Sequence, residues 1–555
     1  MEDKYTIGLD YGTLSGRAVL VRCRDGKNMA EAVRMYSHGV IEEVMPDGKT
    51  CLPVNWCLEA PSDYVEVLDT VIPEVIQKSG IDPVNIIGIG ADFTSCTVLP
   101  VDAEGNALCE RPEFASRRNA WAKLWKHHGG QKMADKVNSQ LEAQGLLEDV
   151  RFGGRVSPEL MVPKVMETLE EDPEIYEAAD EFLEAGDWIT RLLTGSHDRS
   201  CSMAGYKMWW NKEQGYPLPE FFQDLDGRMT DFTKDKLPGK ICSMGDRIGT
   251  LSAEWAERLG LPEGIAVSPT IIDSHAGFAG SGAASPKQML LVLGTSSVLA
   301  ALSDRPFSGK GVLGGVKSAI VPGYYAYESG LASVGDLFGW FVDQCVPAAY
   351  EEEAKGRSLN IHTLLSEKAK KLKVGQSGLL ALEWWNGNKT PHVNGELAGC
   401  LIGMKLTTKP EEIYRALVEA TAFNTRNILD IYEENGVKVD EIIASGGIAA
   451  KNPFLMQIYA DVLGKKLRVA DSGQAAALGS AIYAALAAGS KNGGYDTYSD
   501  AVIHMTRLTD KVYFPQKENQ EKYLKLYEIY CRFSEVMGDS ESRLMQELHV
   551  FQQGE

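Results

Sequence analysis

Two apolar runs break into the same kind of polar turn and then resume. Tyr5-Thr6-Ile7-Gly8-Leu9 passes through Asp10-Tyr11-Gly12-Thr13-Leu14-Ser15-Gly16 to Ala18-Val19-Leu20-Val21. Leu290-Leu291-Val292-Leu293 passes through Gly294-Thr295-Ser296 to Ser297-Val298-Leu299. Each pattern predicts strand, tight turn, strand. Each turn carries backbone N–H groups and hydroxyls without a bulky side chain, a surface that can wrap a phosphate. Only the first adds a carboxylate, Asp10, able to reach a metal held by that phosphate. Two related turns far apart on one chain predict two related domains facing one polyphosphate.

Between the turns the periodicity changes repeatedly. Residues 62–80 place Tyr64, Val67, Leu68, Val71, Ile72, Val75 and Ile76 at helical spacing. Residues 86–91 read as a buried strand that runs into Asp92-Phe93-Thr94-Ser95-Cys96-Thr97. Helices are expected near 123–144, 159–172 and 182–193. Residues 200–249, rich in Gly, Pro and aromatics, read as ordered but irregular, since linkers are poor in Trp and Phe. A strand over 264–269 leads to Ile271-Ile272-Asp273-Ser274-His275. The small-residue run 277–285 is taken as the domain boundary and hinge, which divides the chain into 1–285 and 286–555.

The second half restarts at 289–302, with helices expected over 332–344 and 410–435. A strand at 441–444, the turn Ser445-Gly446-Gly447, a helix over Pro453–Leu463 and a strand at 467–469 form one unit. That turn sits where nucleotides rest on parallel sheets. A small-residue helix is expected over 475–489, and a tail helix over 519–537 with Tyr523, Tyr527, Tyr530 and Phe533 on its docking face.

Composition narrows the function. The 555 residues suit two or three domains, and 44% hydrophobic with 24% charged content is ordinary for a globular enzyme. A net charge of −21 argues against nucleic acid and anionic membrane as partners. No apolar run approaches the roughly 20 residues a membrane span needs. Met1-Glu2-Asp3-Lys4 lacks the pattern of a signal peptide, and ten cysteines without a Cys-x-x-Cys pair fit a reducing, cytoplasmic setting. Homo-oligomerisation stays open.

Asp273 follows a strand and precedes small residues, so it reads either as a helix N-cap or as a general base that takes a proton from a substrate hydroxyl. His275 is given no role. With three glycine-rich turns at strand ends in both halves, ATP binding explains the pattern better than three separate hairpins do.

The set Gly8-Leu9-Asp10-Tyr11-Gly12-Thr13, Asp273-Ser274-His275-Ala276, Leu293-Gly294-Thr295-Ser296 and Ala444-Ser445-Gly446-Gly447-Ile448-Ala449-Ala450-Lys451-Asn452 resembles the FGGY carbohydrate kinases. Gly399-Cys400-Leu401-Ile402-Gly403-Met404, followed by Glu412-Ile413-Tyr414-Arg415-Ala416, is similar to the family's C-terminal signature. The resemblance covers nearly the whole chain. It implies an α/β fold of two ribonuclease-H-like domains, of the actin and hexokinase type, with a catalytic cleft between them. It further implies ATP and Mg²⁺ as cofactors and a small sugar as substrate. By that resemblance Asp10, Gly12 and Thr13 meet the γ-phosphate, Asp10 and Asp273 meet the metal, and Asp273 is the base. Gly294, Thr295, Gly335, Gly446, Gly447 and Asn452 would line the nucleotide, and Ser95, Cys96, Trp125, Lys207 and Glu328, with Asp273, the sugar. Leu124-Trp125-Lys126-His127-His128, Gly205-Tyr206-Lys207-Met208-Trp209-Trp210 and Glu383-Trp384-Trp385-Asn386-Gly387-Asn388 look like the branch that phosphorylates the terminal hydroxyl of L-ribulose in L-arabinose catabolism. The turn around Ser95 lacks the Arg-Glu pair of the glycerol enzymes and the Met-His pair of the xylulose enzymes. D-ribulose, ribitol and D-xylulose stay open as substrates, as does a nucleotide-gated sugar-binding sensor.

Overall fold

The first turn folds as a hairpin because Gly12 closes it. Its N–H donates to Ser15 O at 3.0 Å, and Tyr5–Tyr11 pairs antiparallel with Ser15–Arg22. The computed structural model describes all residues except 1–2, 148, 150, 153, 472, 539–543, 546 and 549–555. Met1 and Glu2, part of the N-terminal stretch read for a signal peptide, lie outside it.

Two seven-stranded sheets carry the fold. In the first, Asn28–Met35, Ser15–Arg22 and Tyr5–Tyr11 form an antiparallel meander, and Ile86–Phe93 continues it in parallel beside Tyr5–Tyr11. In the second, Tyr325–Leu331, Ser297–Ser303 and Gln288–Leu293 form the meander, and Glu441–Ser445 and Lys466–Ala470 continue it in parallel. The same order twice is the duplication that the two turns predicted.

Strands buried on both faces read as continuous apolar runs rather than as alternation. Helix Pro61–Ser79 covers one face of the first sheet. Helix Ala475–Ala488, from the far end of the chain, covers the other, and Thr6 Oγ1 donates to Ala481 O at 2.9 Å. Small residues allow this approach. A Cβ on Gly8 would stand 1.9 Å from Ala477 O, and one on Gly280 would stand 1.8 Å from Ala475 O. An apolar cluster therefore joins the halves, with Val19, Ile271 and Ala276 against Leu290, Ile443, Ala477 and Ala481.

Several elements differ from the sequence reading. The helix expected near 123–144 spans only Gln131–Ala143, because Gly129-Gly130 interrupts the pattern and Ala122–Lys123 pairs as a strand. Residues 182–193 divide into strand Glu181–Glu184 and helix Ala185–Thr194, because Leu183 finds a partner strand at Leu99. The irregular region 200–249 holds helices Cys201–Met208, Pro219–Leu225 and Phe232–Lys236. The run 277–285 begins inside helix Asp273–Gly280. Its small residues there serve close packing against Ala475–Ala488, not backbone freedom. The tail helix spans Lys517–Gly538 and buries Tyr523 and Tyr530. Among the described residues no helix is long and apolar enough to cross a membrane.

Candidate active site

Thr13, Thr94, Ser95, Cys96, Trp125, Glu159, Lys207 and Asp273 line one cavity of about 220 Å³. Six of these eight were singled out in the sequence; Thr94 and Glu159 were not. Strand Ile86–Phe93 delivers the Thr94–Cys96 turn, and Thr94 N–H donates to Tyr11 O at 3.1 Å. Cys96 sits at φ 64°, a left-handed conformation unusual for a non-glycine residue. Burial pushes its thiol up to about 11, so it stays neutral. The Trp125 indole N–H donates to Thr13 Oγ1 at 3.1 Å, which ties the aromatic wall to the first turn. Trp125 remains 37% exposed, so an apolar ring faces the cavity mouth rather than the core.

Lys207 lies on helix Cys201–Met208, whose N-cap Ser200 accepts from Ser202 N–H at 3.1 Å. Burial alone would lower its ammonium. The neighbouring acidic groups, Cys96 as it ionises and then Glu328, Glu184 and Glu159, hold it above the usual value instead. Next to it, Tyr206 donates to Ala326 O in the second sheet at 2.6 Å.

Asp273 opens helix Asp273–Gly280, and its Oδ1 accepts from Ser274 N–H at 2.6 Å. Burial raises the carboxyl to about 6, helped by the charges of Asp10 and Glu328 and opposed by the Ser274 N–H and by Lys207. Glu328, on strand Tyr325–Leu331, does not line this cavity. It shares a hydrogen bond of 2.9 Å with His275 Nε2, and Lys389 Nζ stands 4.0 Å away. Burial would raise Glu328, but the His275 hydrogen bond and the cations outweigh it and hold the carboxyl at about 2. His275, given no role from sequence, thus orients Glu328 from the helix that carries Asp273.

Asp10 faces Asp92 across the parallel pair of Tyr5–Tyr11 and Ile86–Phe93. Arg17 Nε stands 3.3 Å from Asp10 Oδ2. Burial raises the Asp10 carboxyl, and Arg17 opposes the rise. Asp92 is fully buried, accepts from Ser480 Oγ at 2.7 Å and is pushed far upward by burial and then by Asp10. Among the described residues no group of three or more His, Cys, Asp or Glu side chains is placed to hold a metal ion. A divalent cation here would therefore lean on one or two carboxylates plus phosphate and water, the habit of Mg²⁺. Asp10 and Asp273 fit that donor set.

A second cavity of about 680 Å³ lies in the other half, and Gly294, Gly335, Gly447 and Asn452 are among its lining. Phe338, Tyr414 and Phe454 give it aromatic walls, and the sequence reading did not assign them to a nucleotide. Flat rings suit an aromatic base. Gly294 N–H is taken by Ser296 O at 3.0 Å, and Thr295 O accepts from Val334 N–H, so this turn is braced within its own half. Gly446 holds φ 97°, where a Cβ would stand 2.3 Å from Leu293 O, so only glycine joins strand Glu441–Ser445 to helix Gly447–Lys451 at this approach. Asn452 caps helix Pro453–Leu463, its Oδ1 accepting from Leu455 N–H at 3.1 Å. Thr295, Gly446, Asp10, Gly12 and Glu328 line neither cavity.

Comparison with known proteins agrees along the whole length. The chain is 45% identical over 548 residues to a ribulokinase of Geobacillus thermodenitrificans, covering 99% of this chain and 97% of that one. It is 46% identical over 525 residues to a ribulokinase of Bacillus licheniformis, covering 95% of each. A xylulose kinase structure from Rhodospirillum rubrum superposes with a TM-score of 0.79 at 23% identity, over 96% of this chain and 98% of that one. A Plasmodium falciparum glycerol kinase structure with ADP gives a TM-score of 0.76 at 16% identity, over 96% and 98%. These structures share the fold of two α/β halves. Residues 5–280 match the N-terminal domain, and residues 289–488 the C-terminal domain, of one family. The chain belongs to the FGGY family of carbohydrate kinases.

Proposed function

We propose that the protein is an ATP-dependent kinase that phosphorylates the terminal 5-hydroxyl of L-ribulose to give L-ribulose 5-phosphate and ADP. One observation carries the reading. A carboxylate, a lysine and an exposed indole meet in one small cavity, and that indole is bonded to the turn that follows Asp10. The nature of the relatives, ribulokinases over their full length, supports the choice of sugar.

Trp125 offers an apolar face to the C–H side of the sugar, and Lys207 donates to its hydroxyls. Asp273 accepts the proton of the 5-hydroxyl as that oxygen bonds to the γ-phosphorus of ATP. The bond from that phosphorus to the β–γ bridging oxygen breaks, and ADP leaves with its electron pair. A raised carboxyl suits the task, because a base closer to neutrality holds the proton more readily. Asp10, with Asp273, would hold Mg²⁺, which would supply neutralising charge to the phosphates. Thr13 N–H and hydroxyl, at the end of the first turn, orient the γ-phosphate, while Phe338, Tyr414 and Phe454 hold the base.

A coupled ADP-release assay with L-ribulose, D-ribulose, D-xylulose and ribitol at saturating MgATP tests the reading. The highest kcat/KM is expected with L-ribulose. A higher value with any other sugar would replace the substrate, and sugar-independent ADP release alone would remove the kinase reading.

A further inference from the structure

Lys164 lies outside the cavity, on helix Met161–Glu171, and is 1% exposed. Its ammonium makes three hydrogen bonds, all to backbone carbonyls: Cys96 O at 2.5 Å, Leu124 O at 2.7 Å and Lys123 O at 3.3 Å. An ammonium has three protons, so every donor is used. Among the described residues no carboxylate accepts from it. Glu184 acts on it through charge rather than a hydrogen bond, and lies near the Cys96 N–H. Burial pulls the ammonium down to about 8, opposed by the acidic groups Cys96, Glu184 and Glu159 in their ionised forms.

A buried cation without a bonded anion is costly, and an apolar side chain of similar volume would fill the same space without that cost. What the ammonium adds is a junction. Its partners belong to the two loops that wall the cavity. One is the Thr94–Thr97 turn, where Cys96 holds its left-handed conformation; the other is the segment that carries Trp125. Strand pairing between these loops is limited to a single pair, Val98 with Lys123. The link runs on from Leu124 to Trp125 and across its indole to Thr13.

We propose that Lys164 is a positioning residue for the sugar. By clamping the carbonyls of Cys96 and Leu124 to one point, it sets the spacing between the Ser95-Cys96 turn and the Trp125 ring. The inference rests on the reading of this cavity as the sugar site. Other buried cations in this half have different work. Lys123 sits in an ion pair with Glu167 at 2.6 Å, and Arg191 ties Gly195 O and Ala103 O together away from the cavity.

The test compares full-length variants by steady-state kinetics, calorimetric titration with L-ribulose and urea unfolding. Lys164→Met keeps volume and removes all three donors. Its KM and Kd for L-ribulose are expected to rise about tenfold or more, with KM for MgATP within about twofold of the parent. Lys164→Gln, which keeps two N–H donors, should recover part of that loss. Arg191→Met should lower the urea midpoint and leave the sugar KM alone. If Lys164→Met binds L-ribulose normally while Trp125→Ala does not, the inference fails and the cavity reading stands. If Trp125→Ala also binds normally, the cavity reading falls and takes the inference with it. An equal loss in Lys164→Gln, an equal rise in sugar KM for Arg191→Met, or a Lys164 series that gives no folded enzyme also counts against it, since each marks a structural role.

Discussion

At Asp273 the demands of folding and of chemistry meet in one side chain. The first turn of a helix favours a carboxylate, and the neighbouring N–H of Ser274 already stabilises the charged form. Burial and two nearby carboxylates push the other way and win, leaving the group at about 6. A proton acceptor must be ionised to act, so turnover should rise with pH through about 6 and reach a plateau above it. Asp273→Asn keeps the shape and cannot take the proton. Its kcat should fall at least about 10²-fold while calorimetry still detects L-ribulose. A variant with near-parental kcat would remove Asp273 from the role. The sequence pointed to Asp273 because it follows an apolar strand and precedes small residues. Nothing comparable marked Glu159, Asp92 or Lys164. Each acquires its position from a partner distant in sequence, such as Ser480 for Asp92 or Cys96 for Lys164. A single sequence without tertiary contacts carries no trace of such pairings.

Elements were most legible where periodicity was long and punctuated. Pro61–Ser79 and Pro410–Glu434 begin at proline, run in helical phase and match the reading within a residue or two. Phe182 and Leu183 show the limit, since a short apolar run suits either state and the neighbouring strand decides. The tail helix was read from its tyrosines, but the sequence could not show what they grip. Tyr530 donates to Glu383 Oε2 at 2.9 Å, and Asn424 Nδ2 donates to Glu383 Oε1 at 2.6 Å. Burial raises this carboxyl to about 7, against the opposing hydrogen bonds. The folded state therefore holds a proton that the unfolded chain releases near its ordinary value of about 4.5. That proton's contribution is full below about 4.5 and is lost as pH rises to about 7. Glu383→Gln fixes the neutral form and keeps an acceptor for Asn424, while its amide N–H donates to the Tyr530 oxygen in place of the bond that Tyr530 donates to Glu383. In urea unfolding, the parent should lose stability relative to Glu383→Gln between about pH 4.5 and 7, by at most about 1.4 kcal/mol per pH unit, and the curves should run parallel above. A constant difference across that range would show that Glu383 does not titrate on unfolding.

At the scale of the whole molecule, the two cavities belong to different halves, yet the reaction needs their contents in contact. Thr13 and Asp273 come from the first half, Gly294 and Gly447 from the second, and Trp125 stands partly open to water. Water left beside the γ-phosphate would compete with the sugar hydroxyl, so the halves must close on the pair of substrates. The structure moves the expected pivot. Residues 277–280 are helical and pressed against Ala475–Ala488, where a Cβ on Gly479 would stand 2.0 Å from Ala276 O. Rotation about this crossing keeps the contact, whereas bending within 277–280 would break a buried helix. We propose that the sugar drives the motion: Lys207 lines the first-half cavity, Glu328 stands outside it on the second half, and a sugar that gained Glu328 on closure would favour the closed arrangement. Small-angle scattering should report a smaller radius of gyration with L-ribulose plus a non-hydrolysable ATP analogue than for the free protein. Gly479→Val, which wedges the crossing apart, should weaken that compaction and raise the rate of ATP hydrolysis without sugar transfer. An unchanged radius at concentrations where calorimetry shows both sites filled would mean that the halves react as they stand, with water excluded by the bound sugar alone.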